Sequence, residues 1–208
     1  MTLAVIAKAP VAGRVKTRLT PPCTPEQAAA LAEAALRDTL DAVRATPATR
    51  RVVVLDGEPG PWLGDGFDVI AQRGDGLDER LAAAFDDIGG PTFLVGMDTP
   101  QLTPALLLGG LRALDAAPSS LGLSTDGGYW DIGFAAPDAR ALVGVPMSVE
   151  ETGAAQHARL VERGLDPARL PSLTDVDDID TARHVARQIP RSHFAAALAA
   201  TGLQQDAA

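Results

Sequence analysis

The sequence predicts an α/β fold in which a mostly parallel central sheet is covered by helices. Apolar strand-like runs alternate along the chain with segments of helical period, the pattern of strands joined by helical crossovers. Several of the strand runs are continuously apolar, as expected where a sheet is buried on both faces. The chain has 208 residues, 46% of them hydrophobic and 22% charged, which places it among globular proteins. A folded chain of that size hides roughly 70% of the surface its unfolded form exposes, enough to dispense with disulfides or a structural metal.

Strands are expected at 3–7, 51–55, 67–71, 92–95, 121–123, 129–134 and, as a short one, near 170–173. The first helix opens with Thr24 as N-cap, Pro25 at the first helical position and Gln27 placed to close a capping box. Its Ala28, Leu31, Ala32, Ala35, Leu36, Thr39, Leu40 and Val43 recur at helical spacing, a stripe assigned to the core. Further helices are expected at 77–88, at 103–116 with Pro104 just inside, at 150–163 capped by Ser148 with Glu151, and at 178–188. A short helix at 192–201 leads into a polar tail. With no internal repeat and no low-complexity linker, residues 1–190 read as one domain and 191–208 as a C-terminal helical extension and tail.

The net charge is −9, which argues against general nucleic-acid or anionic-membrane binding. The first run, 2–7, is too short for a signal or membrane segment. A single cysteine, Cys23, cannot form an internal bridge, and together with the missing leader it points to a cytoplasmic protein. The distribution of charge is more telling than its sum. Lys8, Arg14, Lys16 and Arg18 all precede the first acidic residue, Glu26, so an acidic protein opens with a purely cationic segment suited to an anion.

That segment, K-A-P-V-A-G-R-V-K-T-R-L, follows the first strand. Gly13 permits a turn and close backbone approach, and four cations surround it, at the sheet edge where α/β proteins bind nucleotide phosphates. Neither a Walker A loop, which needs Gly where Val15 stands, nor the dinucleotide glycine pattern is present, and a solvated basic loop is the competing explanation. Second, the apolar strand ending at Val95 runs through Gly96 and Met97 into Asp98, then Thr99-Pro100. A carboxylate at a strand's end faces the ligand crevice and suits Mg²⁺ or Mn²⁺, or else caps the next turn. Third, Asp126-Gly127-Gly128-Tyr129-Trp130 combines glycines that admit a ligand to the backbone with a flat aromatic wall for a sugar or base, though Asp-Gly-Gly is also an ordinary hairpin signal. The Gln72-Arg73-Gly74-Asp75-Gly76 loop and the cluster Asp175, Asp177, Asp178, Asp180 are open in the same way, and one of the acidic residues serves as the N-cap of the following helix. His157, His184 and His193 lack metal-ligand spacing, and no serine-hydrolase elbow is present.

Taken in order, K-A-P-V-A-G-R-V-K-T-R-L, Q-R-G-D-G-L-D-E-R-L, G-M-D-T-P, D-G-G-Y-W and D-V-D make the chain resemble a bacterial family of GT-A-like glycosyltransferases, part of the nucleotide-diphospho-sugar transferase superfamily and related to small nucleotidylyltransferases. The resemblance covers nearly the whole chain and implies a three-layer, Rossmann-like GT-A fold. Carried over by position, it puts Lys16 and Arg18 on the diphosphate with Lys8, Gly13 and Arg14 nearby, Gln72 near the base, and Asp126, Gly127, Gly128, Tyr129 and Trp130 at the sugar or acceptor. Asp98 stands where such enzymes hold Mg²⁺ or Mn²⁺. Gly96 replaces the first Asp of the family's D-x-D, leaving Asp177 or Asp175, which look like a late acidic motif of nucleotidylyltransferases, to supply the second carboxylate. Met147 precedes Ser148 where relatives often have Trp, and Trp130 stands where a second Tyr is common.

Asp98 and Lys16 are thus the expected catalytic pair of a cytoplasmic, metal-assisted transferase. The leading expectation is transfer of a sugar from a nucleoside-diphosphate sugar to a small acceptor. The alternatives are a nucleotidylyltransferase, which joins a nucleoside triphosphate to a phosphorylated small molecule and releases pyrophosphate, and a nucleotide-binding protein without catalysis. No nucleic-acid partner and no membrane insertion are expected.

Overall fold

The computed structural model of the protein describes residues 1–204; the end of the expected tail, 205–208, lies outside the described residues. The strands are β1 (Thr2–Lys8), β2 (Arg50–Asp56), β3 (Asp68–Ala71), β4 (Thr92–Gly96), β5 (Ser119–Ser124), β6 (Tyr129–Phe134) and β7 (Pro167–Leu173). The helices are α1 (Pro25–Ala45), α2 (Leu77–Ile88), α3 (Pro104–Ala113), α4 (Thr152–Glu162), α5 (Ile179–Gln188) and α6 (His193–Ala200).

One sheet of order β3-β2-β1-β4-β6-β5-β7 runs through the molecule. The pairs β2/β3, β1/β2, β1/β4 and β5/β7 are parallel, and β6 is antiparallel to both of its neighbours. The mostly parallel sheet read from the sequence is therefore present, and alternate strand residues feed two cores. Leu3, Val5, Val53, Leu55, Phe93 and Val95 pack toward α1 and α3. Ala4, Val52, Val54, Leu94, Ile132 and Phe134 pack toward α2 and α4, where Phe85 meets Phe134 edge to face at 4.9 Å. A third cluster joins Leu31 and Ala35 of α1 to Val185 of α5 and Phe194 and Leu198 of α6.

The cap expected for α1 forms in full: Thr24 accepts from the Gln27 amide and Gln27 accepts from that of Thr24. Asp178 forms the same reciprocal box with Thr181 at α5, and Ser192 caps α6 by accepting from the Ala195 amide. The expected cap of α4 does not form. Ser148 lies in the left-handed region at φ 61°, and α4 begins at Thr152, whose hydroxyl accepts from the Val149 amide. Strand β7 starts three residues earlier than its apolar run suggested, because Pro167 and Pro171 are acceptable on an edge strand and hide it from a hydrophobic pattern.

The topology decides where function sits. Parallel strands β1, β2, β3 and β4 release their following loops at one edge of the sheet, and the order reverses at β1, between β2 and β4. Because β6 runs the other way, the turn that leads into it lies at that edge too, beside the end of β7.

Candidate active site

A cleft of about 720 Å³ opens at this edge, a volume suited to a small-molecule ligand. It gathers Lys8 at the end of β1, Arg14, Lys16 and Arg18 from the segment that follows, Gln72, Asp98, Asp126, Gly128, Tyr129 and Trp130, and the late acidic residues Asp175 and Asp177. Segments scattered over the chain thus converge on one hollow, of which a crevice outside the carboxyl ends of the strands is the usual form in open α/β sheets.

Lys16 lies at its centre. Its ammonium is 2.8 Å from Asp98 Oδ1 and 3.6 Å from Asp177 Oδ1, and it also donates to the carbonyl of Val176. Only 9% of its side chain is exposed, against 70% for Arg18, which pairs with Asp177 at 3.2 Å from the solvent side. Lys8 lies 3.9 Å from Asp56, and Arg14 has no ion pair among the described residues.

The two carboxylates are set by backbone, not by chance proximity. The amide of Val176 donates to the carbonyl of Asp98 at 2.9 Å, binding the end of β4 to the segment before α5. Gln101 adds a second tie by donating to the Thr174 carbonyl at 2.7 Å. The α5 cap does the rest: the Thr181 hydroxyl accepts from the amides of Asp177 and Asp178, which holds Asp177 toward Asp98.

Asp175 completes an acidic floor. Its Oδ2 accepts from the Ser124 hydroxyl at 3.0 Å, and its buried Oδ1 has no partner among the described residues. Burial, followed by the charges of Asp98 and Asp126, pushes its pKa up to about 7. Among the described residues no three His, Cys, Asp or Glu side chains form a ready metal cage. The chemistry of the donor set nevertheless fits a hard divalent ion: Asp98 and Asp177 already share one cation, the Lys16 ammonium, and Asp175 offers a further unpartnered oxygen.

The remaining expected residues divide. Asp126 faces the cleft and accepts from the Gly128 amide at 3.0 Å. Gly127 does not line the cleft. It has φ 90°, and a Cβ there would fall 1.9 Å from the Glu150 carbonyl oxygen, so it serves the docking of the turn onto α4. The Gly153 amide completes that joint by donating to the Gly127 carbonyl at 2.7 Å. Gly13 (φ 75°) turns the cationic loop without lining the cleft.

The expected aromatic wall is halved. Leu123 pairs with Tyr129 while Gly122 pairs with Asp131, so β6 carries one extra residue and bulges. Neighbouring strand residues face opposite sides, so Tyr129 and Trp130 belong to opposite cores, and the bulge decides which goes where by putting Trp130 on the side away from Ile132. The Trp130 indole is 2% exposed, packs edge-on to Phe93 and donates to the Pro171 carbonyl at 3.0 Å, leaving Tyr129 as the aromatic side chain at the cleft. Gln72 spends its amide hydrogens on the carbonyls of Ala7 and Val54, so only its oxygen remains to accept from a ligand.

Some lining residues escaped sequence reasoning. Arg80 on α2 donates to the Gly74 carbonyl and pairs with Asp56 at 3.3 Å, bracing the loop after β3. It stands within Q-R-G-D-G-L-D-E-R-L, which was the available signal. Arg73 of the same segment pairs with Asp87 and faces away. Among the described residues no helix is long and apolar enough to cross a membrane.

Comparison with known proteins gives the fold a context. A candidate nucleotide-diphospho-sugar transferase of Desulfovibrio desulfuricans G20 is 24% identical, superposes with a TM-score of 0.87, and the match covers 98% of this chain and 95% of that one. A Mycobacterium tuberculosis H37Rv protein solved as a complex with manganese is 21% identical over 89% of this chain and 97% of its own, with a TM-score of 0.54. A CMP:2-keto-3-deoxy-manno-octonic acid synthetase complexed with CTP is 13% identical over 91% of this chain and 98% of its own, at the same TM-score of 0.54. These likenesses establish a nucleotide-diphospho-sugar transferase fold of Rossmann-like type. No curated protein matches the chain. Residues 30–149 match the profile of a family described as uncharacterized proteins conserved in bacteria (DUF2064), and since that is more than half of the sequence, the chain belongs to this family.

Proposed function

We propose that the protein is a metal-assisted transferase that takes the sugar from a nucleoside-diphosphate sugar and passes it to a small acceptor. The observation that carries this reading is the seat at which Lys16 meets Asp98 and Asp177. In this reading a cation site and a phosphate-binding loop lie within one side chain's reach, which is what departure of a diphosphate requires. The fold shared with a candidate nucleotide-diphospho-sugar transferase supports it.

In this reading the cationic loop receives the diphosphate, with Arg14 turning toward it, Lys8 exchanging Asp56 for it, and Arg18 at the rim. Asp98 and Asp177 hold Mg²⁺ or Mn²⁺, and the ion, when bound, neutralises charge on the phosphate oxygens. The bond from the sugar's anomeric carbon to the diphosphate breaks and its electron pair leaves on the phosphate oxygen, facing Lys16. A bond from the acceptor oxygen to the same carbon forms, and the acceptor's proton passes to a carboxylate of the cleft, a role this reading gives to Asp126. Tyr129 and the backbone of Gly128 flank the sugar.

A second reading rests on a specific observation: Gly96 stands where a D-x-D would have its first carboxylate, and the carboxylate that shares the Lys16 ammonium with Asp98 is Asp177, just before α5. That arrangement favours nucleotidyl transfer, in which a phosphorylated substrate attacks a nucleoside triphosphate and pyrophosphate leaves past the same cations. Incubating the protein with Mn²⁺, either class of donor and a pool of small metabolites separates the two. Release of nucleoside diphosphate supports sugar transfer, whereas acceptor-dependent pyrophosphate without diphosphate overturns it in favour of nucleotidyl transfer.

A further inference from the structure

We propose that in the ligand-free protein the Lys16 ammonium itself occupies the cation seat between Asp98 and Asp177, so that a divalent ion is admitted together with a diphosphate and not before it. This rests on the reading above that these carboxylates hold the metal.

Three observations support it. The ammonium is drawn inward, with 9% of the side chain exposed, while Arg18 on the same loop remains 70% exposed although it touches the same Asp177. Its contacts are those of an ion in a seat and not of a single salt bridge, because oxygens of Asp98, Asp177 and Val176 surround it from two separate segments. The backbone at Lys16 is left-handed, φ 47° and ψ 40°, a conformation unfavourable for a residue with a Cβ and retained where surrounding contacts impose it.

An ammonium and a divalent ion cannot share the seat, since like charges a few ångströms apart repel strongly in a partly desolvated site. A diphosphate changes the balance. It offers the ammonium a new anionic partner, and the flexible four-carbon stem of lysine lets the charge swing to it while the loop stays in place. The carboxylates, freed of the ammonium, then take the ion. Metal and diphosphate must therefore strengthen each other's binding by the same factor. A site so arranged would not fill with free divalent ions when no nucleotide is present.

The test is titration with Mn²⁺, followed by the electron paramagnetic resonance signal of the free ion, with and without inorganic pyrophosphate as the phosphate probe, each set against a protein-free titration that accounts for the Mn²⁺ pyrophosphate itself chelates. Wild type is expected to bind Mn²⁺ weakly alone and about tenfold or more tightly with pyrophosphate, the scale of one displaced charge-assisted hydrogen bond. Lys16→Met and Lys16→Gly are expected to bind Mn²⁺ alone about tenfold more tightly than wild type by the same reasoning. The glycine variant accommodates the left-handed backbone and so guards against misfolding. Arg18→Gln, which removes a charge touching Asp177 but outside the seat, is expected to gain much less. No gain in the Lys16 variants, or an equal gain in Arg18→Gln, would overturn the seat while leaving the metal site intact. Absence of Mn²⁺ binding in every protein, with pyrophosphate as well as without, would remove the metal site and the functional reading along with it.

Discussion

The ammonium of Lys16 lies 2.8 Å from Oδ1 of Asp98, which ties the loop after β1 to the end of β4. A solvated lysine at the tip of a basic loop would contribute almost nothing to stability. A lysine whose loss leaves two partly buried carboxylates facing each other contributes more. Lys16→Ala is expected to lower stability by about 1 kcal/mol in metal-free buffer, a value discounted for the partial exposure of both acids. Mn²⁺ is expected to restore the loss. Chemical denaturation with and without the ion measures both.

Asp98→Asn and Asp177→Asn keep the shape of each side chain and remove its charge. Each is expected to weaken Mn²⁺ binding in the presence of pyrophosphate by about tenfold or more. The far-UV spectrum should be unchanged. Asp126→Asn, outside the seat, is expected to leave Mn²⁺ affinity close to wild type, and calorimetric titration compares the three.

Asp131 gives a pH dependence of known sign. It is 1% exposed, its Oδ2 accepts from the Ser120 hydroxyl at 2.9 Å, and burial pushes its pKa up to about 8. The folded state therefore keeps a proton that the unfolded chain releases near pH 4. Stability falls as pH rises between about 4 and 8, the reverse of a salt-bridged carboxylate. Asp175, with a pKa of about 7, adds to the same slope. Urea unfolding from pH 5 to 9 is expected to show the decline in wild type and a shallower one in Asp131→Asn; parallel curves would contradict the assignment.

Gly127→Ala brings a methyl group against the Glu150 carbonyl at a backbone φ of 90°. Strain and displacement together are expected to cost about 2–3 kcal/mol. The Asp126 turn should also leave its place on α4. A drop in melting temperature accompanied by weaker donor binding would show both effects.

Trp130→Ala removes a core side chain and is expected to cost about 3–5 kcal/mol. Tyr129→Phe should retain the melting temperature, because among the described residues its hydroxyl meets only the sulfur of Met147, at 3.8 Å. A role for the aromatic side chain in sugar binding is therefore read from Tyr129→Ala, by comparing the affinities of a diphosphate sugar and the bare diphosphate.

Strand periodicity made the sheet legible, since Leu3, Val5, Val53 and Phe93 feed one core while Ala4, Val52 and Leu94 feed the other. The cationic loop and Asp98 were legible for a related reason: residues just past a parallel strand arrive at one edge whatever the details of packing. Trp130 was misplaced because strand alternation lets only one of two neighbouring aromatics face the cleft, and the bulge opposite Gly122, which shifts the phase between Trp130 and Ile132, decides which one without any local pattern to announce it. Asp175 and Arg80 gained their places only through tertiary partners, Ser124 and Asp56, that lie far away in sequence. The cap of α4 was missed because Thr152, and not Ser148, supplies the hydroxyl that fixes its approach.

The most direct measurement is a crystal structure of the protein with Mn²⁺ and a nucleoside diphosphate, using the anomalous signal of manganese. The expected result is a manganese peak bonded to the carboxylates of Asp98 and Asp177, with the Lys16 ammonium moved from them onto a phosphate oxygen. A diphosphate bound away from the loop after β1, or a manganese peak elsewhere with Lys16 still seated against Asp98, would contradict it.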